Sequence, residues 1–210
     1  MISLAEHFTS IQGEGVWIGQ TMHFLRLAGC SVGGIDAVCT TYDGRTFACD
    51  TDYKPTLKFD DPEKILELIP ANIRHVCLTG GEPFDRDLSP LLSILFGNNK
   101  KVHIETSGTK HIPPDIGKFR PWITVSPKAP FQLGNLYRAH EIKFLVDEKF
   151  DGSDALFRSA LTLEEPVIWL QPINHKDSLN EENIAQCLSL ARTHPRCRVS
   201  IQLHKVLHVK

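Results

Sequence analysis

Five short apolar runs in this 210-residue chain each end in polar or glycine residues. The run at 75–78 leads into Thr79-Gly80-Gly81-Glu82-Pro83, that at 102–105 into Glu105-Thr106-Ser107-Gly108, and that at 122–125 into Ser126-Pro127-Lys128. Those at 167–170 and 198–203 end at Gln171-Pro172 and at His204. Helical periodicity lies between and around them. Asp60-Asp61-Pro62-Glu63 reads as a helix start with Ile65, Leu66 and Ile69 buried, and Leu88, Leu91, Leu92 and Leu95 define a second helix with Gly97 past its end. A last helix near 181–193 carries Ile184, Cys187, Leu188 and Ala191 on one face. Further strands are expected at 21–27 and 141–146. Strands alternating with helices imply parallel pairing and right-handed crossovers, with sites at the C-terminal strand ends. One crossover, 109–121, contains Pro113 and Pro114 and too few apolar residues for a full helix. The expected fold is therefore α/β, an incomplete or distorted (β/α) barrel of mostly parallel strands rather than a closed eightfold one.

Composition adds bounds. Hydrophobic residues at 41% and charged ones at 23% suit a globular protein, and the length suits a single domain spanning 1–210. A net charge of -2 with no basic run argues against a general polyanion binder, so no direct nucleic-acid contact is expected. No apolar stretch approaches the roughly 20 residues of a membrane helix. Nothing at the N-terminus resembles a signal peptide, and the expected location is the cytoplasm.

Three of the six cysteines, Cys30, Cys39 and Cys49, fall within twenty residues just after the strand at 21–27. A thiolate triplet on a loop is what an iron–sulfur cluster needs when one iron stays open. Zinc, a disulfide and inert buried thiols are the competing readings. Zinc usually takes four ligands with closely spaced cysteine pairs, and a disulfide needs an oxidising compartment. Cys77 within a strand and Cys187 on a helix face read as core; Cys197, beside charged residues, reads as incidental.

Thr79-Gly80-Gly81-Glu82-Pro83 resembles the Gly-Gly-Glu-Pro motif of radical S-adenosylmethionine enzymes, where two glycines expose backbone groups and the carboxylate can pair with an ammonium. Gln12-Gly13-Glu14-Gly15, Arg26 before Gly29-Cys30, Cys49-Asp50-Thr51, Glu105-Thr106, Ser126-Pro127-Lys128 and Gln202-Leu203-His204-Lys205 follow the order seen in the 7-carboxy-7-deazaguanine synthase family. This likeness runs from near residue 6 to the C-terminus. It implies a radical S-adenosylmethionine type of barrel and a lyase of queuosine and 7-deazaguanine biosynthesis. The substrate would be 6-carboxy-5,6,7,8-tetrahydropterin, ring-contracted with loss of ammonia. By matched position, Cys30, Cys39 and Cys49 would hold a [4Fe-4S] cluster and Thr51 a Mg²⁺. Gly80, Gly81, Glu82, Ser126, Pro127, Lys128, Gln171 and Asn174 would line the S-adenosyl-L-methionine site. Gln12, Gly13, Glu14, Thr79, Glu105 and His204 would hold the pterin, Arg26 its carboxylate in a bidentate pair, and the terminal Lys210 would reach it. No catalytic group is implied beyond the cluster and the adenosyl radical. The likeness also implies an external electron donor such as a flavodoxin, and a homodimer.

The chain departs from the family pattern at the cluster motif. The commoner versions place two residues between the second and third cysteines, and here that position is Thr46. Either Cys39 remains the second ligand, with 40–48 forming an excursion that turns at Asp43-Gly44, or the site has decayed. The persisting substrate positions favour the first. An active synthase is accordingly the leading reading. The others are a non-catalytic pterin- or nucleoside-binding protein on the same scaffold and a glycyl-radical activase, whose peptide substrate would not need Gln12, Arg26, Glu105 and His204.

Overall fold

The computed structural model describes residues 1–33, 38–49, 51, 54–175 and 177–210. Asp50, Asp52, Tyr53 and Ala37, which flank the second and third cysteines, lie outside the described residues. Among those described, the chain forms a nine-stranded sheet and a two-stranded hairpin. In chain order the strands are β1 (Ile2–Ile11), β2 (Thr21–Leu27), β3 (Val38–Thr40), β4 (Thr46–Ala48), β5 (Leu57–Phe59), β6 (His75–Gly80), β7 (Lys101–Thr106), β8 (Trp122–Val125), β9 (Glu141–Val146), β10 (Val167–Pro172) and β11 (Cys197–Val199). The helices are α1 (Glu63–Leu66), α2 (Ser89–Gly97), α3 (Ala155–Leu161), α4 (Glu181–Thr193) and α5 (Leu203–Leu207). The large sheet runs β11-β10-β9-β8-β7-β6-β2-β1-β5. From β11 to β2 every pairing is parallel; β1 and β5 are antiparallel. The sheet is open, with β11 and β5 at its edges, so no closed barrel forms among the described residues.

Alternation along the strands separates two faces. One is aliphatic: Val76 and Leu78, Val102 and Ile104, Ile123 and Val125, Ile142 and Phe144, and Ile168 and Leu170 join the main core. Helices cover it, α2 with Leu91, Leu92 and Leu95, α3 with Phe157, α4 with Cys187 and Leu190. Burying each such leucine is worth about 1.5–3 kcal/mol. The opposite face is polar and aromatic, carrying Cys77 and Thr79, His103 and Glu105, Trp122 and Thr124, Glu141 and Lys143, and Trp169 and Gln171.

That polar face is concave. In a flat sheet β1 and β9 would stand about 24 Å apart. Yet the backbone N–H of Val16, just past β1, donates to Glu141 on β9 at 2.9 Å. Glu141 also accepts from Trp122 Nε1 at 3.1 Å, Trp169 Nε1 at 2.8 Å and Thr124 Oγ1 at 2.7 Å. Trp17, His75, His103 and Trp122 pack their rings together at the N-terminal ends of the strands and floor the concavity.

Several local expectations need correction. The first helix is a single turn, because Pro70 disfavours helical backbone at Ile69. Gly97 lies within α2, and Asn99 takes the left-handed position after it, with φ 59°. In α4 the buried stripe is Asn183, Cys187 and Leu190; Leu188 is exposed. Asn183 is buried without penalty because its Nδ2 donates to the Ile173 carbonyl at 2.6 Å. Cys197 is core rather than incidental. The last strand stops at Val199, and His204 sits on α5, which folds back so that Leu203 N–H donates to the Gly13 carbonyl at 2.9 Å. The abbreviated crossover is as expected, a 3-10 segment at Pro114–Phe119.

Two buried histidines, His103 beneath the concavity and His23 on the opposite face of the sheet, predict an acid response. Burial lowers His103 from 6.5 to about 3 and His23 to about 4. The unfolded chain therefore binds protons that the folded chain refuses. Stability is full above pH 6.5 and is lost as pH falls toward those folded values. Each site can steepen the dependence by at most about 1.4 kcal/mol per pH unit. Urea midpoints measured against pH should fall across this window, and His103→Asn should flatten the curve. Superimposable slopes would show that His103 does not contribute.

Candidate active site

The concavity opens into a cavity of about 1230 Å³ at the C-terminal strand ends. Single-ligand pockets span about 300–1,000 Å³, so this one has room for more than one molecule. Its lining includes Cys30, Cys39, Cys49 and Thr51 at one side, Gly80, Gly81, Ser126, Lys128, Gln171 and Asn174 along the rim, and Glu14, Thr79, Glu105 and Lys143 toward the interior.

The thiol side is built by β3 and β4. They pair antiparallel, Cys39 opposite Phe47 and Thr40 opposite Thr46, around a turn at Gly44 with φ +91°. Residues facing one another across a strand pair share a face, so Cys39 and Phe47 point together toward the cavity while Thr46 is exposed. The hairpin is fastened from below. Arg45 donates to Asp147 Oδ1 and to the Leu145 carbonyl, both at 2.8 Å, and stacks over Phe150. The Tyr42 hydroxyl donates to Asp154 Oδ2 at 2.6 Å, and Asp154 uses Oδ1 to cap α3. A hydrogen bond with Cys49, then burial, pushes the Cys39 thiol well up, and nearby Cys30 adds to the shift. None of the cysteines is in a disulfide. Among the described residues no three His, Cys, Asp or Glu side chains close to single-ion spacing. A cubane spaces its thiolates more widely than one ion does.

The loop with Cys30 is pinned to the Gly-Gly-Glu-Pro turn. Gly81 N–H donates to the Leu27 carbonyl at 2.8 Å, and a Cβ at Gly81 would lie 1.7 Å from the Gly29 oxygen. Only glycine permits that approach of two backbones. Asp85 accepts from Ser31 N–H at 2.8 Å and from its hydroxyl at 2.6 Å, while Arg86 Nη2 donates to the Ala28 carbonyl at 2.8 Å. Glu82 accepts from Thr106 Oγ1 at 2.6 Å, Ser107 N–H at 2.9 Å, Phe84 N–H at 3.2 Å and the Ser107 hydroxyl. This carboxylate lines the cavity and also ties the end of β6 to that of β7.

On the interior side a continuous polar line forms. Thr79 Oγ1 donates to Glu105 Oε2 at 2.9 Å and Gln12 Nε2 to Glu105 Oε1 at 3.1 Å. Lys143 Nζ stands 3.9 Å from Glu105 Oε1 and forms a close ion pair with Glu14. Gln202 Nε2 donates to Glu14 Oε1 at 2.8 Å, and Asn174 Nδ2 to Gln202 Oε1 at 3.0 Å. Burial opposes both charges of the pair. The Lys143 ammonium, its hydrogen bond and that of Gln202 nevertheless hold Glu14 well below the carboxylate range, and Glu14 and Glu105 raise Lys143.

No protein-family model matches the sequence. Curated relatives do match along its whole length. A 7-carboxy-7-deazaguanine synthase of Synechocystis sp. is 35% identical over 212 residues, covering 99% of this chain and 93% of that protein. The one from Escherichia coli (strain K12) is 35% identical over 229 residues, covering 97% of each. The crystal structure of QueE from Escherichia coli matches with a TM-score of 0.67 and 31% identity, over 97% of this chain and 94% of that one. The chain belongs to the 7-carboxy-7-deazaguanine synthase family.

In this member of the synthase family most of the expected site residues share the one cavity. Gln12 adjoins it through Glu105. Gly13 lies under the imidazole of His204, and Pro127 is buried behind the rim. His204, Arg26 and Lys210 are outside the cavity lining. Arg26 Nε is 3.4 Å from Glu6 Oε1, and Lys210 Nζ is 2.8 Å from Glu6 Oε2. The Lys210 carbonyl accepts from Ser10, so the chain end is laid along β1. Sequence reasoning missed Lys143, Gln202's contact with Glu14, Glu6, and the Asp85 and Arg86 pins. The signal for Lys143 was available: in Glu141-Ile142-Lys143-Phe144 the charges alternate with core residues in a central strand.

Gly13 supplies the test of this architecture. A Cβ there would come within 2.2 Å of His204 Nδ1. Gly13→Ala should destabilise the docked C-terminal segment by about 1–3 kcal/mol. Limited proteolysis or hydrogen exchange should show residues 203–210 released while the sheet stays protected. Unchanged protection would mean that α5 does not depend on this contact.

Proposed function

We propose that this chain is a 7-carboxy-7-deazaguanine synthase that ring-contracts 6-carboxy-5,6,7,8-tetrahydropterin. Substrate and product differ by one ammonia, so the conversion is redox-neutral overall. The observation carrying this reading is the meeting, in one cavity, of a three-thiol side and an interior line of Thr79, Glu105, Lys143 and Glu14. The open, concave, largely parallel sheet is read as the incomplete barrel of a radical S-adenosylmethionine enzyme, in one domain over 1–210.

The donor sets fit the groups this reading requires. Cys30, Cys39 and Cys49 would hold a [4Fe-4S] cluster. Gln171 Oε1 is buried in the cavity wall with no partner among the described residues, and accepts readily from a polar ligand such as S-adenosyl-L-methionine. Gly80, Gly81, Glu82, Ser126, Lys128 and Asn174 line the same site, while Pro127 shapes it from behind. Thr51 offers the oxygen that Mg²⁺ prefers. Bound together, cluster and S-adenosylmethionine would supply hydrogen-atom abstraction and return.

The chain's own residues do the positioning. Glu14 and Glu105 present acceptors to the pterin N–H groups, and Thr79, Gln12 and Gln202 hold those carboxylates in place. His204 on α5 closes the pocket over Gly13. Arg26 would exchange Glu6 for the substrate carboxylate, with Lys210 keeping Glu6 neutralised. A flavodoxin-like reductant, a homodimeric state and a cytoplasmic location accompany the reading. Thr46 facing away and Cys39 facing inward favour a working cluster site over a decayed one.

Anaerobic reconstitution with iron and sulfide tests the assignment. Cys39→Ala should lose cluster absorbance and S-adenosylmethionine cleavage, whereas Thr46→Ala and Cys197→Ala should keep both. The wild type should convert the carboxylated pterin to 7-carboxy-7-deazaguanine. A full cluster in Cys39→Ala would overturn the ligand assignment, and a loaded wild type inert toward the pterin would overturn the function.

A further inference from the structure

Lys143 is a charge buried deep beside the pocket, and none of the expected roles includes it. Its side chain is 7% exposed, against 25% for that of Glu105. Glu14 pairs with it from the segment after β1, and Glu105 stands 3.9 Å away on β7. Glu141 acts on it from its own strand, and His204 acts on Glu14 from α5. Cys77 lies close by on β6. Gln12 ties the Glu105 carboxylate to the Glu14 backbone, donating to Glu105 and accepting from the Glu14 N–H at 3.2 Å.

Two carboxylates brought together away from water tend to share a proton, since like charges raise one of the two affinities. A protonated carboxyl offers a donor where a pterin's amino and ring N–H groups need acceptors. We propose that Lys143 is a positioning residue for the pterin, pairing with Glu14 and standing beside Glu105 so that the Glu14 carboxylate is kept ionised as an acceptor for the ligand's N–H edge. This rests on the synthase reading above. Lys143 itself stays an ammonium, because both neighbours favour its charged form, so it serves as neither base nor proton shuttle.

Loss of a purely structural ion pair would lower stability without giving pterin affinity a new pH dependence, and binding measurements separate the two roles. Anaerobic titration with 6-carboxy-5,6,7,8-tetrahydropterin should be compared for wild type, Lys143→Met and Lys143→Arg between about pH 6.5 and about pH 8.5. Taking the ratio of variant to wild type cancels the substrate's own ionisations. Lys143→Met should bind about tenfold more weakly at the acid end and recover as pH rises, about one pH unit per tenfold. Lys143→Arg should restore the wild-type profile, and S-adenosylmethionine affinity should be unchanged in both. A ratio independent of pH, or equal affinity throughout, would overturn the proposal.

If Lys143→Met does not fold, calorimetry of the wild type in buffers of different ionisation heat decides. Pterin binding with no proton released supports the proposal. Release of a proton, measured at a pH where the pterin itself does not titrate, means that a carboxyl was protonated in the free pocket, and overturns it. Wild type that fails to bind the pterin at all would instead defeat the synthase reading on which the proposal stands.

Discussion

A buried carboxylate on the inner face of β9 is the contact on which the shape of this molecule depends. Glu141 gathers the Val16 N–H, the indoles of Trp122 and Trp169, and the Thr124 hydroxyl around its two oxygens. β8, β7, β6 and β2 stand between β9 and β1 in the sheet. The Val16 contact can be made only if the sheet bends, and the bend turns one face into a hollow. A charge that far from water persists only when its acceptor capacity is filled. Filling it draws in three different segments, and so the polar group specifies the curvature.

The same logic continues one turn up the strand. Lys143 replaces Glu141's neutral donors with ionic partners, joining the ends of β1, β7 and β9 in a line that runs on through Gln202 to Asn174. The aliphatic face behind the sheet, packed by α2, α3 and α4, provides the stability that lets this hollow carry so many polar groups. The division of labour follows from alternation: each strand gives every second residue to the core and the rest to the site. The C-terminal α5 docks beside the hollow against Gly13, where no side chain intervenes.

The β3–β4 hairpin solves a different problem. It carries a third thiol, Cys39, to the cavity wall that Cys30 and Cys49 also line. Cross-strand pairing turns Cys39 inward beside Phe47 and leaves Thr46 outside. Arg45 and Tyr42 anchor the hairpin to the ends of β9 and α3.

Much of this was legible in the sequence. The alternation of apolar runs and helices specified a mostly parallel sheet, since a strand buried on both faces must be covered by its crossovers. The polar residues at the strand ends marked where the site would lie, the prolines at 113 and 114 marked the weak crossover, and Asp43-Gly44 marked the hairpin turn. What only the tertiary structure decided are the pairings between distant segments: Glu82 with Ser107, Arg26 with Glu6, Lys210 with β1, and Lys143 with Glu14. Local pattern sets which way a side chain faces, because backbone geometry repeats every two residues. It does not set what that side chain meets, because the partner lies as many as 204 residues away and is brought there by the tertiary packing.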